Sequence, residues 1–256
     1  MELFDLSGKV AMVTGSTRGL GEVAAKALAK AGADVAVCGR EQSDLDRVSS
    51  DIRDMGRDSE GFFLEVTSAE GINQSVTKIL DYFGKVDILV NNAGSNYREP
   101  ILEYTEEGWD RIINTHLKGY FFVAKAVVPQ MISRGYGKVI NMSSLTGKIV
   151  VPTQVTHAAA YTISKGGVNQ MTKVMAVEWA KKGVRVNAIG PTYFQTEMVK
   201  QVLDDTERLK IINDHTPMGR MGKLEELEGT VIFLAAPASD FITAQIIYVD
   251  GGWTAV

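Results

Sequence analysis

The sequence predicts an α/β fold built on one parallel sheet, and three observations carry that reading. Seven short apolar runs are spaced along the chain, at Lys9–Thr14, Asp34–Cys38, Gly61–Val66, Val86–Val90, Lys138–Met142, Val184–Ile189 and Gln245–Val249. Helical patterns lie between them, near 41–55, 69–83, 106–134, 160–182 and 223–236, with a further helix opening the chain after Leu20. Strands this apolar are buried on both faces, and their alternation with helices is the signature of parallel pairing through crossovers. Glycine is the third sign: 25 of 256 residues, above the usual share of about 7%, call for tight turns and close backbone approaches.

The elements follow in order. Val10-Ala11-Met12-Val13-Thr14 reads as a buried strand, and Gly15-Ser16-Thr17-Arg18-Gly19-Leu20-Gly21 breaks it. Leu20, Val23, Ala24, Ala27, Leu28 and Ala31 then recur at three- and four-residue steps, the spacing of one helix face. Gly32 stops that helix and Asp34–Cys38 is the next strand. The same alternation runs to Val249. No internal repeat, low-complexity tract or Pro/Gly/Ser linker interrupts it, so residues 1–256 are expected to form a single domain. Only 193–220 has a mixed pattern, and it is expected to be a mobile flap over the site.

Composition narrows the partners. With 27 basic and 31 acidic residues the net charge is −4, which excludes a strongly basic surface and so argues against nucleic acid. The single cysteine forbids an intrachain disulfide, which fits a reducing cytosol, and Cys38 reads as a small apolar filler. His116, His157 and His215 lack metal-ligand spacing. The start Met1-Glu2-Leu3-Phe4-Asp5 lacks the basic and apolar segments of a signal peptide, and no apolar run is long enough to span a membrane. A cytoplasmic protein is expected.

Two motifs carry chemistry. Gly15, Gly19 and Gly21 form G-x-x-x-G-x-G between a strand and a helix, where backbone can approach a pyrophosphate and the helix start offers unpaired N–H groups. A second strand follows about twenty residues on, completing the context of a dinucleotide site. An NAD site wants an acid at the end of that strand for the ribose 2′-hydroxyl; here stands Gly39-Arg40. Arg40, with Arg18 in the loop, suits a 2′-phosphate, so NADP(H) is favoured over NAD(H). The alternative is that both arginines are simply solvated. The second motif is Tyr161-Thr162-Ile163-Ser164-Lys165, a phenol and an ammonium one helical turn apart, with Asn141-Met142-Ser143-Ser144 at a strand's C-terminal end upstream.

Together these segments resemble the short-chain dehydrogenase/reductase family. The resemblance spans the chain through Thr14-Gly15, Gly19-Leu20-Gly21, Asn91-Asn92-Ala93-Gly94, Ser143-Ser144, Tyr161 and Lys165, Arg185-Val186-Asn187 and Val249-Asp250-Gly251-Gly252. It implies a three-layer α/β/α Rossmann fold with a seven-stranded parallel sheet, and reversible hydride transfer between a nicotinamide and an alcohol or ketone. It implies Tyr161 as general acid/base, Lys165 as the cation that lowers the tyrosine pKa and binds the nicotinamide ribose, and Ser144 as the donor that holds the substrate oxygen. A free tyrosine titrates near pH 10, so work near neutrality asks for a lowering worth roughly 3–4 kcal/mol. Gly15 to Gly21, Arg40, Glu65, Val66, Asn92, Ala93, Gly94, Pro191, Phe194 and Thr196 are expected cofactor contacts. Glu65 stands where the family usually has Asp, and Thr192 where it usually has Gly.

Three departures bear on the substrate. His116 occupies the place where the family often has a catalytic Asn, three residues before Gly119; Asn114 lies two residues too early. His116 also falls on the apolar stripe Trp109, Ile112, Ile113, His116, Leu117, Tyr120, so a core histidine and a functional one both stand. The interval from Ser144 to Tyr161 is longer than usual in the family, the extra residues falling in 151–160 with Gln154 and His157. Those two, with Asn96, Arg98 and Tyr193, are the candidate substrate contacts; Arg98 suits a carboxylate, or else a neighbouring subunit or water. The overall look is similar to the gluconate 5-dehydrogenase-like subgroup, which implies a sugar acid or polyol as substrate. A 3-oxoacyl-carrier-protein reductase or general carbonyl reductase is the alternative, and a non-enzymatic dinucleotide sensor is disfavoured by the intact Ser144, Tyr161 and Lys165. The family also implies a homotetramer, and the apolar ending Trp253-Thr254-Ala255-Val256 fits burial against a partner or against its own subunit.

Overall fold

The computed structural model describes residues 2–196, 199 and 204–256. Its strands are β1 (Val10–Thr14), β2 (Asp34–Gly39), β3 (Ser59–Phe63), β4 (Ile88–Asn91), β5 (Gly137–Met142), β6 (Val184–Pro191) and β7 (Ile246–Val249). All pair in parallel, in the order β3-β2-β1-β4-β5-β6-β7. The helices are α1 (Gly19–Lys30), α2 (Gln42–Asp54), α3 (Ala69–Phe83), α4 (Glu106–Ile113), α5 (Gly119–Ser133), α6 (Ala159–Trp179), α7 (Thr206–His215) and α8 (Glu228–Ala235).

β1, β4 and β5 are buried at every position, so both faces of the sheet are covered. Ala11, Val13, Val35, Val37, Ile88 and Val90 pack on one side with Ala24 and Leu28 of α1, Leu45 and Val48 of α2 and Val231 and Leu234 of α8. Met12, Ala36, Cys38, Leu89 and Val139 pack on the other with Val76 of α3, Val123 and Val127 of α5 and Met175 of α6. The result is the expected three-layer sandwich. Cys38 is an inert filler, its thiol pushed far up by burial.

Several elements depart from the sequence expectation, each for a local reason. β3 begins at Ser59 and ends at Phe63, because Ser59 Oγ donates to the Val35 carbonyl (2.8 Å) and Arg53 to the Ser59 carbonyl (2.6 Å). Polar anchors thus draw the strand upstream of its apolar run, and Glu65 and Val66 fall in the exit turn. β4 begins at Ile88, leaving Val86 and Asp87 before it. The helix expected over 106–134 is interrupted by one π turn, Asn114–Lys118, closed by Gly119 N–H on the Asn114 carbonyl. The helix expected over 223–236 opens as a 3₁₀ turn, Leu224–Leu227. Within 193–220 lies α7, capped by Asp205, whose carboxylate accepts from the N–H groups of Glu207 and Arg208. The rest of the expected flap includes 197, 198 and 200–203, outside the described residues.

A third apolar cluster joins the loop before α6 to α7 and the C-terminal segment: Leu145, Val151, Val155, Ile212, Met221 and Trp253. Trp253 is 3% exposed and packs within its own subunit, while Val256 is 89% exposed.

Below the sheet, at the N-terminal end of β4, Asp87 is 1% exposed. Its carboxylate accepts from Arg134 (2.6 Å), Lys85 (2.9 Å) and Val10 N–H (3.0 Å), tying β4, β1 and the end of α5. Burial alone pushes this carboxyl up, but the three donors outweigh it and hold its pKa below the usual value. Asp87 therefore stabilises the fold at pH values above the unfolded pKa of about 3.9, and that contribution is lost as pH falls through the lower folded value. Asp87→Ala, which strands Arg134 and the Val10 N–H, should cost about 3–5 kcal/mol at pH 7 in urea unfolding, and the gap to wild type should narrow as the pH falls below the ordinary carboxylate range.

Candidate active site

The C-terminal ends of β1, β4, β5 and β6 meet where the strand order reverses, the place where open α/β sheets bind ligands. The glycine loop after β1 is shaped by its neighbours. Gly15 and Gly19 have φ of +62° and +57°, which glycine alone adopts readily. A Cβ on Gly15 would lie 2.8 Å from Ala93 Cα, and one on Gly21 would overlap the Gly15 carbonyl and Asn92 Nδ2. The close approach is held by Asn92, whose amide donates to the carbonyls of Thr14 (3.1 Å) and Gly15 (2.9 Å). Thr14 Oγ1 in turn accepts from the N–H groups of Asn92 (2.9 Å) and Ala93 (3.0 Å). Ser16 is likewise occupied, its Oγ accepting from Cys38 N–H at 2.9 Å. The side chains of Asn92 and Ser16 therefore build the loop.

The residues present fit a dinucleotide. α1 opens at Gly19 with no side chain capping its first N–H groups. A Cβ on Gly19 would still be 3.7 Å from Thr196 Cγ2, so Thr196 forms the opposite wall of a narrow cleft. Pro191 ends β6, and Phe194 turns inward, 3% exposed, bridging to Gly222. At the far end Arg18 is exposed and Arg40 extends beyond β2, its Nη1 3.4 Å from Glu65 Oε2. Glu65 is itself fixed by Thr67, which donates from N–H (3.1 Å) and Oγ1 (2.9 Å). Val66 is buried against Gly119, where a Cβ would lie 3.2 Å from Val66 Cβ.

Ser144 leaves β5 and caps the turn Leu145–Gly147, its Oγ accepting from Thr146 N–H at 3.2 Å. Its hydroxyl also meets that of Tyr161, on the first turn of α6. Lys165, one turn on, donates to the Met142 carbonyl at 2.7 Å and lies over the Tyr161 ring, 5.4 Å from its centroid. Burial pushes its ammonium down to about 7. In the cofactor-free protein the Tyr161 pKa lies above its ordinary value. Burial pushes that hydroxyl up, and the Ser144 hydroxyl and Arg98 guanidinium pull it only part of the way back. Lys165 contributes little because its nitrogen addresses the ring face and Met142, so Tyr161 holds its proton at neutral pH.

His116 sits in the π turn, and π turns inside helices recur at functional sites. It is 3% exposed, and its ring stands edge-on to Tyr161 with centroids 5.2 Å apart. Nε2 lies 2.8 Å from the Ser95 carbonyl and 3.1 Å from the Ser95 N–H. One nitrogen cannot serve both at once; protonated, it donates to the carbonyl. Nδ1 has no partner among the described residues, and burial, with the Lys165 charge adding, pushes the imidazole down to about 3, so it is neutral. The expected core histidine is thus a buried ring that lies beside Tyr161.

Among the substrate candidates, Arg98 and Tyr193 converge on that centre. The Arg98 charge acts on the hydroxyls of both Tyr161 and Tyr193, and Asn96 Oδ1 accepts from Arg98 Nε at 3.0 Å. Tyr193, pushed up to about 12 chiefly by burial, packs against Trp253 with ring centroids 5.9 Å apart. Gln154 and His157 are exposed, and neither hydrogen-bonds to Ser144, Tyr161 or Lys165; the neighbouring Val151 and Val155 instead anchor their loop. Two residues of the site were not legible in advance. Trp253 reaches it through tertiary folding alone, and Tyr120, on the same stripe as His116, carried the pattern of a core residue while its ring lies 5.1 Å from Lys165 Nζ.

A glycine loop at the switch point, with a serine, a tyrosine and a lysine converging beside it, defines an oxidoreductase that works with a nicotinamide dinucleotide. Comparison with known proteins narrows this. Residues 15–254 match the family model described as enoyl-(acyl carrier protein) reductase. The chain is 39% identical to gluconate 5-dehydrogenase of Gluconobacter oxydans (strain 621H), over 99% of this chain and 97% of that one. It is also 39% identical to 2-dehydro-3-deoxy-D-gluconate 5-dehydrogenase of Bacillus subtilis (strain 168), covering 98% and 97%. The crystal structure of a gluconate 5-dehydrogenase from Burkholderia cenocepacia J2315, in complex with NADP and tartrate, superposes with a TM-score of 0.95 at 36% identity, covering 100% and 98%. The chain belongs to the short-chain dehydrogenase/reductase family and resembles its gluconate 5-dehydrogenases.

Gly21→Ala should force the loop off Asn92, lowering stability by about 1–3 kcal/mol in thermal unfolding and weakening dinucleotide binding measured by calorimetry.

Proposed function

We propose that the protein is an NADP(H)-preferring oxidoreductase that interconverts a ketone and a secondary alcohol on a sugar acid. The observation that carries this reading is the convergence of the Ser144 and Tyr161 hydroxyls with the Arg98 charge acting on the same spot. Two hydroxyls can hold one substrate oxygen, and a guanidinium beside them can hold a carboxylate through its planar fork. The names of the relatives, and the NADP and tartrate bound by the Burkholderia protein, support the same class.

A bound nicotinamide would supply or accept the hydride; the chain's own residues do the rest. The backbone of Gly15 to Gly21 and the open start of α1 would hold the pyrophosphate, and Ala93, Gly94, Phe194 and Thr196 would line the cleft towards the nicotinamide. Arg40 and Arg18 would receive the 2′-phosphate, which gives the preference over NAD(H), and Lys165 the ribose beside the reacting ring. Ser144 donates to the substrate oxygen and fixes it against Tyr161. In ketone reduction Tyr161 gives that oxygen its proton, a role suited to a hydroxyl that is protonated at neutral pH; in the reverse direction it takes the proton back. His116 acts as a positioning residue through Ser95, which leads to Asn96 and Arg98. The reading carries a homotetramer with it, for which the exposed apolar side chains Trp109, Phe121, Ile163, Val174 and Val177 on α4, α5 and α6 would supply contact faces.

Purified protein should oxidise gluconate-type sugar acids, or reduce their keto forms, with NADP(H) in preference to NAD(H), followed by nicotinamide absorbance. Turnover of acyl thioesters or apolar ketones alone would overturn the substrate class. Tyr161→Phe should lose about 10²–10⁴-fold in kcat with an unchanged melting temperature. Arg98→Ala should raise KM for the acid about ten- to a hundredfold with little change for an uncharged polyol, and Arg40→Ala should erode the NADP(H) preference by a similar factor, as the loss of one charge-assisted hydrogen bond implies.

A further inference from the structure

The Lys165 ammonium is 3% exposed and has three N–H donors, yet its hydrogen bond among the described residues is to the Met142 carbonyl alone. Among the described residues no carboxylate pairs with it: the titratable groups packed around it are Tyr161 from α6, His116 from the π turn and Tyr120 from α5. Two of these present ring faces. Nζ lies 5.1 Å from the Tyr120 centroid and 5.4 Å from the Tyr161 centroid, both within reach of a cation–π attraction. Tyr120 is itself fixed: it is 1% exposed, its hydroxyl donates to the same Met142 carbonyl at 3.4 Å, and the His116 ring backs it with centroids 6.5 Å apart. In a dry site a ring quadrupole counts for more than at a surface, and a charge with one acceptor needs a further counterweight.

We propose that Tyr120 is a positioning residue for Lys165, its ring face keeping the buried ammonium charged and seated on the Met142 carbonyl beside Tyr161. The importance of this for turnover rests on the reaction proposed above, but the contact does not. The ring does the work; the hydroxyl, already at the long limit of a hydrogen bond, contributes little. An ammonium without this support gives up its proton at lower pH, and Tyr161 and the dinucleotide site lose their cation together.

The direct test is NMR titration of the cofactor-free protein labelled with [¹³Cε]lysine, the Lys165 signal being assigned by its loss in Lys165→Met. Tyr120→Leu should lower the Lys165 midpoint by roughly half to one pH unit, and Tyr120→Phe should leave it at the wild-type value. An unchanged midpoint in Tyr120→Leu overturns the proposal, as does a Tyr120→Phe midpoint displaced as far as that of Tyr120→Leu. If Tyr120→Leu shows no cooperative unfolding transition, pentafluorophenylalanine at position 120 keeps the ring's shape and reverses its quadrupole; the midpoint must then fall, and a wild-type value overturns the proposal. In turnover, the alkaline limb of kcat/KM should move down with the midpoint in Tyr120→Leu and return in Tyr120→Phe. Because the titration needs neither cofactor nor substrate, failure of the sugar-acid assay leaves its result intact, and failure of the titration leaves the substrate reading intact.

Discussion

The site depends on one clamp across the strand-order switch. Asn92 and Thr14 exchange four hydrogen bonds that also take in Gly15 and Ala93, and they draw the ends of β1 and β4 together. Gly21 must lack a side chain because Asn92 occupies that space. With the loop held down, α1 begins with bare N–H groups facing the cleft, and the ends of β4 and β5 can carry the segments that deliver His116, Ser144 and Met142. The polar ladder continues inward, since Asn91 donates to Asn141 at 2.9 Å and Asn141 to Thr172 at 3.0 Å, fixing α6 to the sheet. Buried amides of this kind give a core one register, because a slipped strand would leave them unpaired.

Much of this was legible in the residues. Apolar runs and glycine punctuation report seven strands buried on both faces of a parallel sheet. The Tyr161–Lys165 spacing and Ser144 at a strand end placed the reacting centre. What escaped was governed by contacts distant in sequence. No local pattern announces the π turn at Asn114–Lys118, because its extra residue is absorbed where Gly119 lies against Val66. Asn92 also holds the glycine loop, a task its place in the motif does not reveal because its partners, Thr14 and Gly15, lie far up the chain. The setting of Tyr161 escaped for a similar reason: spacing puts Lys165 on the same helix face, but only the fold sets the burial that raises the pKa of the hydroxyl.

Charge is distributed sparingly around the cleft. Burial depresses the basicity of His116 and Lys165 and raises the Tyr161 pKa, so the neutral forms of all three lie closer to hand than in water. Arg98 and Arg40 mark the two ends of the cleft, and each is steadied by a neighbour, Asn96 and Glu65. The Glu65 carboxylate has a second effect, since it shares Arg40 with any phosphate that arrives there and so moderates the attraction.

The Thr14–Asn92 clamp joins residues 78 positions apart. Closing so long a loop is entropically slow to repay, and parallel pairing across it ranks among the late events of folding. Before β4 docks on β1 the glycine loop has its Ser16–Cys38 bonds to β2 but lacks the clamp that brings Gly15 against Ala93. A ligand held by this loop would bind the assembled sheet and not its parts, and by mass action it would stabilise that form.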